Sequence, residues 1–264
     1  MRLTVTVSLV VLAACGDNTV PGQASDATVP PTDSAIPVDT QQLVDTKFDT
    51  CSDTVKTIQP GAPTAAPASG WWSDDTRANG AVTVDNTFIA PPNFGCTSAH
   101  FVTGDSTPSP SADKAQLISF ALAGTPLASI TTISYWAYRS SASTGGAALD
   151  LDLNVTISGA SVPNNFATLV YEPYNQSGQT AGILVDAWQP WNATALTTGD
   201  GLWWSSRVAN PAPGSQSHPQ PWTAFQALYP DAVVGGYGFD IGSVNPNTIV
   251  AGDGLVFGTT TTDF

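Results

Sequence analysis

The sequence predicts an all-β protein, a sandwich of jelly-roll type with about ten strands and one short helix. Two observations carry this. Short stretches of alternating apolar and polar residues recur along the chain and are separated by Gly, Pro, Asn and Ser turns. Strong helix formers are scarce, with Glu172 the only glutamate among 264 residues.

The elements follow in order. GAVTVDNTFIA (80–90) alternates and is β-rich, and HFVTG (100–104) and KAQLISFALAG (114–124) continue the series. In ITTISYWAYRS (130–140), Ile133, Tyr135 and Ala137 share one face and Ser134, Trp136 and Tyr138 the other. AALDLDLNVTISG (147–159) has the cleanest period of two. Leu149, Leu151, Leu153, Val155 and Ile157 point inward, and Asp150, Asp152, Asn154, Thr156 and Ser158 read as a solvated face of an antiparallel sheet. FATLVYEPY (166–174), ILVDAWQPW (183–191) and GLWWSSR (201–207) follow. In GLWWSSR the adjacent Trp203 and Trp204 must face opposite ways in a strand, and Trp204 is taken as the outward one. PWTAFQALYPDA (221–232) reads as the helix, bounded by Pro221 and Pro230. AVVGGYGFDIGS (232–243), NTIVAGDGLVFG (247–258) and TTTTDF (259–264) end the chain, and the final strand is expected to pair with one of the first.

The N-terminus has a different character. Residues 1–14 carry one positive charge, Arg2, and a short apolar run from Leu3 to Ala14, too short to span a bilayer that needs about 20 apolar residues. The run ends Leu12-Ala13-Ala14-Cys15, which resembles the lipobox of bacterial lipoproteins. That resemblance implies cleavage before Cys15, lipidation of its thiol, and export to the bacterial cell envelope, facing periplasm or exterior. The lipid bilayer is then a partner through the Cys15 anchor. Residues 15–69 are rich in Pro, Thr and Asp and read as a solvated tether with an r.m.s. reach of roughly 35–40 Å. The sandwich is placed at 70–264. Cys51 and Cys96 are expected to form a disulfide, which suits an exported protein.

In chain order, SADKAQLISFALAGTPLASITTISYWAYRSS (111–141), LVYEPYNQS (169–177), WQPWNAT (188–194), GLWWSSR (201–207) and the stretch from Tyr229 to Phe264 resemble a group of secreted or surface-attached bacterial domains. These are lectin-like β-sandwiches of jelly-roll type. The resemblance covers about residues 70–264. It implies fold and export and, because the group has no established activity, no particular chemistry.

Charge and motifs exclude several functions. Seven Lys and Arg face 21 acidic residues, a net charge of -14, so a phosphate-neutralising surface for nucleic acid is not expected. The two histidines, His100 and His218, lie in no G-x-S-x-G, H-E-x-x-H or metal-ligand pattern. The spacing of Gly236, Gly238 and Gly242 does not fit a dinucleotide-binding loop.

Binding is the favoured role, and a polysaccharide or glycan the favoured ligand. Indoles present apolar faces to sugar rings, and Trp136, Trp188, Trp191, Trp204 and Trp222, with Arg207, are the candidate contacts. The enzymatic alternative is a glycoside hydrolase or lyase using Glu172 with Asp150, Asp152, Asp186 or Asp240, since such chemistry needs paired carboxylates. Against it stands a structural reading in which Arg207 or Arg139 neutralises Glu172. A structural or adhesive surface protein without a small ligand is the remaining alternative. No cofactor is expected. Structural calcium, the one alternative to that, would draw on Asp74, Asp75 and Asp253. Oligomeric state is left open.

Overall fold

In the computed structural model, residues 53–264 are described, apart from 106–112, 145–150, 177–181, 197–198 and 243–244. The signal segment, Cys15, Cys51 and Asp150 therefore lie outside the described residues. The elements in chain order are β1 (Ile58–Pro60), β2 (Ala68–Ser73), β3 (Ala81–Asp85), β4 (Ser98–Val102), β5 (Ala115–Phe120), β6 (Ile133–Arg139), β7 (Asp152–Ser158), β8 (Phe166–Tyr171), β9 (Trp188–Asn192), β10 (Leu202–Ser205), β11 (Gln220–Pro221), α1 (Trp222–Leu228), β12 (Val233–Ile241), β13 (Ile249–Phe257) and β14 (Thr260–Thr262).

The protein is an all-β sandwich. One sheet has eight strands in the order β1-β2-β5-β12-β7-β8-β10-β11. The other has six, with the path β3-β4-β13-β6-β9 and β14 paired to β13. The chain passes between the sheets at β2–β3, β4–β5, β5–β6, β6–β7, β8–β9, β9–β10 and β12–β13, as a jelly roll does repeatedly. The expected strands appear with trimmed ends. The additional ones are β2, of six residues, and the short β1 and β11, of three and two. Such short strands owe their existence to a partner and leave no periodicity in sequence.

Two expectations are corrected here. The sandwich does not begin at residue 70. Val55 is buried in the core, β1 lies parallel to β2, and the Thr54 and Val55 amides donate to the Asp263 carbonyl. Composition misled because a strand held by backbone bonds tolerates Pro and Thr at a sheet edge. The final strand, β14, hairpins onto β13 rather than pairing with a first strand. It is the residues after it, Asp263 and Phe264, that meet residues 54–55.

Alternation decides what enters the core. Leu151, Leu153, Val155 and Ile157 point inward and are fully buried, as do Leu117, Tyr237 and Phe239 from flanking strands. They pack on Phe101, Ile133, Tyr135 and Phe257 from the opposite sheet. The aromatic contacts Tyr135–Phe239 (5.3 Å) and Tyr237–Phe257 (4.2 Å) join the two layers. Helix α1 buries Trp222 and Phe225, and the Trp222 indole donates to the Ile130 carbonyl at 2.7 Å.

Candidate functional site: a groove on the outer face of the eight-stranded sheet

Cross-strand partners share a face, so the register maps the outer surface of this sheet directly. Trp72 pairs with Ile118, Ile118 with Gly238, Gly238 with Asn154, Asn154 with Val170, and Val170 with Trp204. The row crosses six strands, about 24 Å at the usual strand spacing, and a Trp stands at each end. On one side of it runs a hydroxyl row. Gly236 pairs with Thr156 and Thr156 with Thr168, and Ser206 hydrogen-bonds the Thr168 amide through its hydroxyl. On the other side runs an acidic row. Gln116 pairs with Asp240 and Asp240 with Asp152, and Glu172 lies opposite Asp152 one step beyond the Leu153–Tyr171 pair.

A groove of about 480 Å³ lies over the central and hydroxyl rows. That volume is in the range of small-ligand sites. Gln116, Asn154, Thr156, Thr168 and Ser206 supply amides and hydroxyls to its lining. Ile118, Phe120, Phe166 and Val170 supply apolar surface. Asp74, Asp75 and Lys114 stand at the end near β2 and β5. Two glycines sit mid-row, and Ile118 and Phe120 lean over Gly236, where a Cβ would come within 2.9 and 3.2 Å of them.

Lys114 ties the rim to the floor. Its ammonium is 2.9 Å from Asp75 Oδ2 and 3.5 Å from Asp240 Oδ1. Asp240 Oδ2 accepts from the Asn154 amide at 3.0 Å. Burial pushes the Asp240 carboxyl up to about 6, against the pull of Lys114 and Asn154. The Asn154 Oδ1 atom has no hydrogen-bond partner among the described residues.

Glu172 has no arginine partner among the described residues, which corrects the expected neutralisation. Its carboxylate accepts from Gln216 at 3.1 Å and from Asn175 at 3.5 Å. Burial raises its pKa, and hydrogen bonds from Tyr174, Gln216 and Asn175 hold it down, helped by the Trp204 indole. Arg207 instead donates through Nε to the Phe166 carbonyl, and its guanidinium lies 5.8 Å from the Phe166 ring centre. It therefore sits beside the groove wall. Asp152, Asp240 and Glu172 are adjacent on neighbouring strands, yet all three are buried and none lines the groove. The remaining hydrolase candidate, Asp186, binds the Ser141 amide and the Tyr138 hydroxyl, away from this face.

The tryptophan set divides. Trp203 is fully buried and Trp204 faces outward, half-buried, at the end of the central row. Trp191 and Trp222 are core residues, 2% and 3% exposed, which corrects their place among the binding candidates. Trp136 and Trp188 lie on the outer face of the six-stranded sheet. There the Trp188 indole donates to the Ile89 carbonyl, and Phe88 packs on Tyr138 (4.5 Å) and His100 (5.0 Å). The outward tryptophans thus occupy two opposite surfaces, and only Trp204 stands beside the groove.

Asp74, Asp75 and Asp253 are likewise not brought together. Asp75 pairs with Arg77 and Lys114 at the groove rim, and Asp253 is buried on β13 of the other sheet. Among the described residues no three His, Cys, Asp or Glu side chains are arranged around a metal ion. Cys96 is disulfide-bonded, and its amide donates to Asp53 at 2.7 Å.

Sequence reasoning missed Trp72, Gln116, Asn154, Thr156, Thr168 and Ser206. The signal was present in the clean alternation of β7, read as a solvated face. Because β7 is central in its sheet, flanked by β12 and β8, Asp152 and Asn154 are instead buried.

No protein-family model, curated protein or solved structure matches this chain.

Proposed function

We propose that this chain is a surface-exposed lipoprotein whose sandwich binds a polysaccharide or glycan without transforming it. The observation that carries the reading is the groove. A sugar ring offers hydroxyls around its edge and apolar C–H faces, and the groove sets five amide or hydroxyl side chains beside four apolar ones. Trp72 and Trp204 stand at either end of its central row. Leu12-Ala13-Ala14-Cys15 supports lipidation, and a Cys51–Cys96 disulfide fits the same exported setting. The resemblance to surface-attached bacterial domains agrees with export and leaves the ligand to the groove.

One observation favours catalysis as a second reading: Asp240, Asp152 and Glu172 stand side by side on neighbouring strands. Their burial away from the groove lining argues for a structural role.

The test is affinity electrophoresis of the full chain carrying Cys15→Ser in gels containing glucan, xylan, mannan or soluble chitin derivatives. Retardation by at least one polymer is expected, weakened about tenfold in Trp204→Ala while the melting temperature falls by no more than about 4 °C, as for loss of one aromatic contact. Reducing-sugar release that disappears in Glu172→Gln would establish the hydrolase instead. Neither retardation nor release leaves a structural or adhesive role.

A further inference from the structure

Four segments meet in the opposite sheet where β14 replaces β4 as the neighbour of β13, around residues 53–56, 95–97, 253–254 and 263–264. Asp53 Oδ1 accepts the Cys96 and Thr97 amides at 2.7 and 3.3 Å. Asp263 accepts the Gly95 amide at 3.1 Å, and its backbone exchanges bonds with Thr54. Asp253 Oδ1 accepts the Gly254 and Phe264 amides at 2.7 and 2.9 Å. Thr97 Oγ1 donates to the Phe264 carbonyl at 2.7 Å. Phe264 is fully buried and packs edge-on against Trp71, with ring centres 4.8 Å apart.

The cluster holds three carboxylates against one cation. That cation, Lys56, reaches Asp53 Oδ2 at 3.1 Å from a largely exposed side chain. Asp253 is 0% exposed, and its Oδ2 has no hydrogen-bond partner among the described residues. The cation of β6, Arg139, pairs with Val250, three residues back along β13 from Asp253. The cross-strand partner of Asp253 on β6 is Trp136, and on β4 the His100 imidazole is turned to Asp85 at 3.5 Å. A buried carboxylate oxygen with no donor and like charges nearby is costly as an anion. As a neutral acid, the same group no longer repels the Asp263 and Asp53 carboxylates.

We propose that Asp53, Asp253 and Asp263 form an acid-tightened latch joining the first residues of the sandwich to its last strand, and that the latch loosens in alkaline medium. The titration directions agree. Burial pushes Asp253 up to about 7, the Phe264 and Gly254 amides hold it down, and Asp263 and Asp53 push it further up. Burial also raises Asp263, the Gly95 amide opposes this, and the Asp53 charge adds to it. Burial works against ionisation of Asp53, but the Cys96 amide and Lys56 outweigh it, so Asp53 stays an anion that repels an ionised Asp253. The folded pKa of Asp253 lies above the unfolded one, so its favourable contribution is complete below about pH 4 and is lost as pH rises through about 7.

The latch is tested by hydrogen exchange of the full chain between about pH 6 and about pH 8.5, a window spanning that titration. After correction for intrinsic pH dependence, the Thr54, Val55, Gly254 and Phe264 amides should exchange about tenfold or more faster at the alkaline end, while Leu153 should not change. Asp253→Asn should remove this dependence. Asp263→Asn, which deletes one like charge that pushes Asp253 up, should move its midpoint to lower pH. Corrected rates in the native chain that are flat with pH, or an Asp253→Asn variant that keeps the native dependence, would overturn the latch. If neither variant folds, a carboxyl-carbon NMR titration of the native chain decides. Asp253 titrating near 7 supports the latch, and near 4 overturns it.

Discussion

Trp203→Ala should lower the stability of the sandwich by about 3–5 kcal/mol, the cost of emptying a large buried aromatic site. The residue is fully buried, and its ring lies 5.5 Å from that of Tyr171 and 4.7 Å from that of Trp222. Its indole donates at 2.6 Å to the carbonyl of Ala193, just beyond β9 of the opposite sheet. The substitution therefore opens a cavity and leaves a buried carbonyl without that donor. Trp204→Ala, one residue on, should cost only about 1 kcal/mol, because Trp204 is half-buried and its side chain lies outside the core. Urea unfolding followed by far-ultraviolet circular dichroism separates the two. Equal losses would contradict the in-and-out assignment.

Gly238→Val should cost about 3 kcal/mol, at the upper end of what overpacking does. Gly238 sits on β12 between β5 and β7. A Cβ there would fall 2.0 Å from the Leu117 carbonyl oxygen and 2.8 Å from the Ile118 Cα. Both are backbone atoms, so relief requires the strands to part and the groove floor to shift. Gly242→Ala is the control. Among the described residues its Cβ would meet nothing closer than 3.7 Å, and its stability should change by less than about 0.5 kcal/mol. Thermal melts of both variants check the contrast.

Much of the sandwich is written as period-two alternation. The inward set of β7 and the Trp203/Trp204 split need only the pleat to be read. Helix α1 announces itself through Pro221 and Pro230. The groove is less legible because it is made by register. Trp72 and Trp204 are 132 positions apart in the chain, and only the pairing of six strands puts them in one row. Burial of Asp152 and Asn154 likewise follows from the position of β7 within its sheet, and sequence alone does not carry strand order. Trp191 and Trp222 show the converse: a Trp near a strand end looks like a binding platform until its neighbours are known. Burial of Val55 and the pairing of β1 escape composition because their partners, Asp263 and β2, are distant or irregular.

The central claim is that a glycan occupies the groove between Trp72 and Trp204. The direct measurement is calorimetric titration of Thr168→Trp with whichever polysaccharide retards the native chain. Thr168 lines the groove from the middle of its hydroxyl row, and a larger side chain there fills the space without entering the core. The account predicts that affinity falls about a hundredfold or more while the melting temperature holds within a few degrees, a loss of about 2.7 kcal/mol in binding free energy. Undiminished binding by a folded Thr168→Trp protein would place the ligand elsewhere and contradict the assignment of this face.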